Sequence, residues 1–317
     1  MARGTEGGAD AVEGLVVVDK PAGLTSHDVV ARLRRIYGLR RVGHAGTLDP
    51  DATSVLLVGL GRTTRLLRFL TETGKVYRGE VSFGVATDTL DAAGTETARQ
   101  PMPALTAGAL EAVLPRFLGT IAQIPPMVSA VKVEGRRLHE RARAGEVVER
   151  APRTVRIDRI EVERFAPGEF PLAQLVVECG SGTYIRSLAA DLGEALGGCA
   201  HLAWLRRLRV GPFPVEEART LDEIAESPEK VVLPMVEAVR HLTRIDVDGE
   251  TARAVAHGAV FPVTALPGPD PDDGPGAGAE PGASGPLAVV GPDGRLLALY
   301  EKGRAAARPL VVLTGGG

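Results

Sequence analysis

The sequence is poor in cysteine: Cys179 and Cys199 are its only two in 317 residues. They form no CxxC pair and match no zinc spacing, which excludes a disulfide framework and points to buried thiols in a reducing cytosol. No run of about 18 uncharged apolar residues occurs, so no membrane-spanning helix is expected. Met1 to Glu13 is polar and rich in Gly and Ala. It lacks the apolar stretch of a secretory signal and is expected to be a disordered leader. The phosphate-binding pattern GxxxxGKS/T, a GxGxxG after a strand and the zinc motif HExxH are all missing. His139 and His201 lie in different segments from His44 and suggest no ligand set. No cofactor or metal is expected, and no internal repeat is visible.

What is present is ordinary for a soluble folded protein: 44% apolar and 24% charged residues. The length suits one large domain and one small one, at roughly 150 residues per domain. The net charge of −3 argues at first against a polyanionic partner. Its distribution argues the other way. From Lys20 to Arg78 there are eleven Lys or Arg against four acids, a local net of +7. Lys132 to Arg143 adds five basic residues against two acidic ones. A basic face on a mildly acidic chain is the footprint of a nucleic-acid binder, although solvated helix faces give the same count.

Apolar spacing places the elements. Gly14 to Val18 reads as a buried strand closed by the turn Asp19-Lys-Pro-Ala-Gly23. Ser26 offers a cap oxygen, and Val29, Val30, Leu33, Ile36 and Tyr37 recur at helical spacing as far as Gly38. Arg40 to Pro50 reads as a glycine-punctuated loop, followed by a strand at Val55 to Leu60 and a helix near Thr63 to Leu70. Val76 to Phe83 alternates as a half-buried strand. Further helices are expected at Leu105–Phe117, Arg137–Ala144 and Tyr184–Leu196. Further strands are expected at Ser129–Val133, Val155–Val162, Leu172–Cys179 and Leu202–Val210. The mixture indicates an α+β domain on a mixed sheet, spanning 14–241. Beyond Leu242 the short runs Arg244–Val247, Ala259–Val263, Leu287–Val290, Leu296–Tyr300 and Leu310–Leu313 form a small β domain, 242–317. It is interrupted by Ala265–Pro286, where six prolines and six glycines in 22 positions indicate a flexible loop.

The densest cluster is Arg41-Val-Gly-His-Ala-Gly-Thr-Leu-Asp-Pro50. Glycines on both sides of His44 let a ligand approach the backbone. Pro50 restricts Asp49 to an extended conformation. A carboxylate fixed in this way can be a nucleophile, a general base or a metal ligand, and Asp-Pro is also a common turn starter.

Asp19-Lys-Pro-Ala-Gly, Gly43-His-Ala-Gly-Thr-Leu-Asp-Pro, Lys75-Val-Tyr-Arg, Ser129-Ala-Val-Lys, Gly182-Thr-Tyr-Ile-Arg and Trp204-Leu-Arg-Arg-Leu occur in that order. This series resembles the TruB family of tRNA pseudouridine synthases from about Gly14 to Val239. The resemblance implies that Asp49 is the catalytic aspartate, attacking either the ribose C1′ or the uracil ring. It makes Tyr77 the active-site tyrosine, packed on the target base and placed as general base, and Arg186 the partner of the catalytic carboxylate. Tyr184 and Leu205 correspond to residues lining the base pocket, and His44 to a residue that takes part in base flipping. Lys20 and Lys132 correspond to basic positions near substrate phosphate. The expected partner is the tRNA T arm, with uridine 55 as target and a monomeric cytoplasmic enzyme acting on it. The small β domain would be of the PUA type.

The family usually carries Ala-Thr-Gly after GTLDP and more often a tyrosine at position 139. Here Asp51-Ala-Thr-Ser54 places a side chain where the family has bare backbone, and position 139 is His. Two other readings stand beside this one: a relative aimed by a guide RNA at another target, and an RNA-binding module or tRNA-folding chaperone.

Overall fold

The computed structural model describes residues 12–127, 132–133, 136–137, 150–262, 266 and 285–313. The chain divides into two compact units. The first comprises Met1–Pro50, Val55–Thr71 and Gly211–Gly317, and the second Asp51–Ser54 with Glu72–Val210.

In the first unit, strand β1 (Gly14–Lys20) leads to helix α1 (Ser26–Tyr37), and strand β2 (Val42–Ala45) turns back antiparallel to β3 (Thr53–Leu60). β1 also pairs with β3. The helix starts one residue earlier than its sequence suggests. Thr25, not Ser26, is the cap, and it exchanges hydrogen bonds with Asp28 in a capping box. Those bonds hold the Asp28 carboxyl below the usual range. Gly38 ends the helix in the left-handed conformation, φ 65°. Val29, Val30 and Leu33 bury one face against Val16, Val18, Leu56 and Val58, while Arg32, Arg34 and Arg35 are exposed. β2 is a correction: its residues read as loop because Gly43 and His44 interrupt any apolar alternation.

Downstream in the same unit, a 3₁₀ turn (Gly61–Arg65) and helix α2 (Leu67–Thr71) replace the single helix expected there. Arg62 pairs with Glu13 and donates to the Leu313 carbonyl, while Arg65 and Arg68 donate to the carbonyls of Val312 and Leu310. Three arginines of the basic segment therefore hold a C-terminal strand. The C-terminal sheet has the order β14 (Thr243–Asp246), β16 (Leu287–Val290), β17 (Leu296–Lys302), β18 (Ala306–Val312), β15 (Phe261–Pro262). Its core includes Ile245, Val289, Tyr300 and Val255. Val255 lies on a helix, Gly249–Ala256, that sequence spacing did not suggest. Most of the leader and of the Pro/Gly segment lies outside the described residues.

The second unit is built on antiparallel strands. In order, these are β12 (Ala200–Val210), β4 (Lys75–Phe83), β11 (Leu172–Cys179), β10 (Arg153–Ala166) and β7 (Gly119–Gln123). Thr53 and Ser54 of β3 pair in parallel with Arg206 and Arg207 of β12. β4 alternates as read from sequence, with Lys75, Tyr77, Val81 and Phe83 buried on one face. A helix, Ile185–Ala195, buries Ile185, Leu188, Ala189 and Leu192, the i, i+3, i+4, i+7 stripe of an amphipathic helix. The expected helix at 105–117 is α3 (Ala107–Val113) followed by a 3₁₀ turn, Leu114–Phe117. Of the elements expected between 129 and 144, two short paired strands are described: β8 (Lys132–Val133) and β9 (Arg136–Arg137). The rest lies outside the described residues.

Candidate active site

The eight residues singled out in the sequence divide between the two units. Lys20, His44 and Asp49 belong to the first; Tyr77, Lys132, Tyr184, Arg186 and Leu205 belong to the second.

In the first unit, Asp49 is half-buried between two neighbours that are fastened to the stretch from the end of β1 to the start of α1. On one side, the Leu48 N–H donates to Ser26 Oγ (2.9 Å), which donates back to the Leu48 carbonyl (3.3 Å). On the other, the Pro50 carbonyl accepts from Lys20 Nζ (2.8 Å) and from the Gly23 N–H (3.0 Å). Lys20 also donates to the carbonyls of Pro21 (2.8 Å) and Leu24 (2.6 Å). Its side chain is fully buried. The sequence reading set Lys20 beside phosphate; the structure makes it a brace for the Asp49 loop. Burial of an ammonium is tolerated because three carbonyls replace its water. Gly46 takes φ 79°, which only glycine adopts without strain, and so turns the chain from β2 towards Asp49. His44 stands on β2 opposite Val58, with its ring edge-on to that of His27 at 5.4 Å between centroids.

In the second unit, Tyr77 lies on the buried face of β4, in register with Val177 of β11 and Arg207 of β12. Arg207 is itself buried. Lys75, two residues before Tyr77 on the same face, is pushed down to about 8, mainly by burial and then by the nearby Arg207. Leu205 sits opposite Gly79, where a Cβ would come within 3.1 Å of its side chain, so the glycine makes room for it. Tyr184 caps the helix that follows. Its N–H donates to Gln123 Oε1 (2.7 Å) and its carbonyl accepts from Gln123 Nε2 (3.0 Å), which fixes the backbone that projects the ring. Arg186, in the first turn of that helix, is buried. It donates to the Thr89 carbonyl (3.2 Å) and pairs with Asp91 Oδ2 (3.2 Å). Lys132 stands on β8, in register with Arg137.

Sequence reasoning missed Asp91 and Gln123, and it read Ser26 as a helix cap and not as the anchor of Leu48. Asp91 also accepts from Thr89 Oγ1 (2.6 Å) and the Ala93 N–H (3.2 Å), in a turn where Leu90 adopts φ 64°. A left-handed leucine costs on the order of 1 kcal/mol and is kept where neighbours over-determine it. The density of hydroxyls and acids in Thr87-Asp-Thr-Leu-Asp91 was the available signal. Gln123 and Ser26 act on backbone 61 and 22 residues away and leave no local trace. Among the described residues, no group of three His, Cys, Asp or Glu stands together as metal ligands.

Except for Lys20 and Ser26, which precede residue 34, these residues fall inside matched family regions. Residues 34–185 match the TruB family pseudouridylate synthase N-terminal domain, and 186–240 the tRNA pseudouridylate synthase B C-terminal domain. Residues 277–314 match the tRNA pseudouridine synthase II C-terminal region. The chain is 46% identical to tRNA pseudouridine synthase B of Thermobifida fusca over 96% of its own length and 99% of that protein. It is 47% identical to tRNA pseudouridine synthase B of Symbiobacterium thermophilum over 81% and 86%. Among solved structures it resembles a chain of an H/ACA RNP bound to a substrate RNA containing 2′-deoxyuridine. That match has a TM-score of 0.69 and 27% identity, covering 95% of this chain and 85% of the other. A Cbf5-Nop10-Gar1 complex gives 0.68 and 29%, covering 94% and 83%. The fold is the mixed α+β fold of pseudouridine synthases, and the chain belongs to the TruB family of pseudouridylate synthases.

Proposed function

We propose that this chain isomerises a uridine of the tRNA T arm, uridine 55, to pseudouridine, with Asp49 as the catalytic carboxylate. A uridine stacked in a folded loop is out of reach of a side chain, so the base has to be flipped out first. His44 takes part in that extrusion, and Tyr184 and Leu205 line the pocket that receives the base. Asp49 then attacks the ribose C1′ or the uracil ring. The glycosidic bond breaks, the base turns, and it rejoins C1′ through carbon, with the bond to Asp49 breaking so that the carboxylate is regenerated. Tyr77 removes the proton left on that carbon, as a general base within reach of the ring. Arg186 favours the ionised form of Asp49 and orients it through its planar fork. Isomerisation leaves no net redox change and transfers no external group, so these side chains supply the chemistry.

Lys132 and the exposed Arg40 and Arg41 face phosphate in this reading. The enzyme acts as a cytoplasmic monomer, with the C-terminal sheet as a PUA-type RNA-binding body. A guide-RNA-dependent reading draws support from the H/ACA structures. Near-full-length similarity to proteins named tRNA pseudouridine synthase B supports the tRNA reading more strongly.

The observation that carries the proposal is the immobilised position of Asp49, with hydrogen bonds on the residues either side of it. Asp49→Asn keeps size and hydrogen bonding but removes the charge. Single-turnover pseudouridine formation on a T-arm transcript, without any guide RNA, should fall below detection. Filter binding of the same RNA should stay within about tenfold, roughly 1.4 kcal/mol. Substantial turnover by the variant refutes the mechanism, and parallel loss of binding in folded protein makes Asp49 a recognition residue.

A further inference from the structure

The first turn of α1 meets the Asp49 segment twice. Ser26 grips Leu48, as described. The adjacent His27 is exposed and takes no part in the core, yet its ring lies against that of His44 at 5.4 Å with planes 83° apart. This edge-to-face arrangement is one of the two that ring quadrupoles favour over a face-to-face stack. α1 is a rigid support for such a contact: its first turn is fixed by the capping box and by the buried Ser26 hydroxyl. His44 is anchored through its backbone on β2, but a histidine side chain keeps two rotatable bonds, and its ring plane is set by what it packs on.

We propose that His27 is a positioning residue for base flipping, holding the His44 ring in the plane that meets the vacated stack. The inference rests on the role given to His44 above. Pre-setting one ring removes a rotamer search from the extrusion step, so its effect belongs in the rate of extrusion and not in RNA affinity.

The test uses the full-length protein and a T-arm stem-loop carrying 2-aminopurine beside the target uridine, whose fluorescence reports unstacking. His27→Ala should slow both the fluorescence change and single-turnover product formation about fivefold to tenfold, with the Kd within about twofold. His27→Phe, which keeps an aromatic ring on the His44 face, should restore both rates. In a double-mutant cycle, adding His27→Ala to His44→Ala should cost nothing further. Additive effects, an unaltered His27→Ala, or a loss of affinity that grows as salt is lowered would each overturn the proposal; the last would make His27 a phosphate contact. Failure of the underlying reading looks different, because His44→Ala would then leave extrusion and product formation unchanged.

Discussion

Two lysines are buried among the described residues, one in each unit, and their surroundings are opposite in kind. Lys20 is fully enclosed and donates to three carbonyls drawn from two loops. Lys75 is almost as enclosed and donates to the Thr73 carbonyl, but Arg207 lies close enough to oppose its charge. The first ammonium exchanges water for several well-placed acceptors, and the backbone it binds becomes rigid. The second is pushed towards its neutral form, first by burial and then by the like charge of Arg207. One unit thus holds its Asp49 segment by side chain-to-backbone bonds, and the other holds Tyr77 and Leu205 by strand register.

The comparison breaks most sharply at Lys20. Lys20→Met should keep the stem's packing but leave the carbonyls of Pro21, Leu24 and Pro50 without this donor. Loss of charge-assisted bonds at a buried site costs about 3 kcal/mol. Urea unfolding should report that loss, and single-turnover activity should fall by more than tenfold because Pro50, and with it Asp49, is left with the Gly23 N–H as its hold on that side. A stable, fully active variant would show that the brace is dispensable.

The two modes of support also explain what was legible in the sequence. Register is written in alternation, and β4 was read correctly to within a residue, with Tyr77 on its buried face. The Asp49 loop was located by its glycines and its motif, yet its supports were not visible. Ser26 to Leu48 and Lys20 to Pro50 are contacts across 22 and 30 residues, and no periodicity records them. β2 was hidden because a short strand with glycine and histidine at its centre has no apolar face to count. The charge count counted Arg62, Arg65 and Arg68 towards a polyanion-binding face, although they hydrogen-bond carbonyls at residues 310–313. Composition cannot tell a cation aimed at phosphate from one aimed at a carbonyl.

Lys75 offers the converse experiment, smaller in size and opposite in sign. Its folded value of about 8 lies below the ordinary lysine value of 10.5, so between those pH values the unfolded chain binds more protons than the folded one. The cost of burying the charge is therefore fully present below pH 8 and disappears as pH rises towards 10.5. Lys75→Met should be more stable than the parent at pH 7 by about 2 kcal/mol, and the advantage should shrink steadily up to pH 10. Denaturation midpoints at four or five pH values decide it. A gain that does not vary with pH would assign the effect to packing and not to charge.

The smallest predicted effect lies at Ser54, where the departure from the family pattern meets the backbone. Ser54 adopts φ 84°, a region that favours glycine, and its hydroxyl is fully buried without a hydrogen-bond partner. Strain at a non-glycine residue of this kind costs about 1 kcal/mol or more, and an unsatisfied buried hydroxyl adds a similar amount. Against that, glycine gives the unfolded chain more freedom, worth roughly 0.5–1 kcal/mol. Ser54→Gly should therefore stabilise the protein by about 1 kcal/mol, a rise of roughly 2–4 °C in melting temperature for a protein of this size class. Ser54→Ala separates the two causes: it removes the hydroxyl but keeps the Cβ that the backbone disfavours. If the alanine variant gains as much as the glycine variant, the buried hydroxyl is the whole cost. If only glycine gains, the backbone is. Ser54 pairs with Arg207 on β12, which in turn pairs with Tyr77 on β4. The glycine variant should therefore keep that register and its turnover, because φ 84° is already the conformation glycine prefers. A gain in stability accompanied by lost activity would mean that the strained serine helps hold the strand that carries Tyr77.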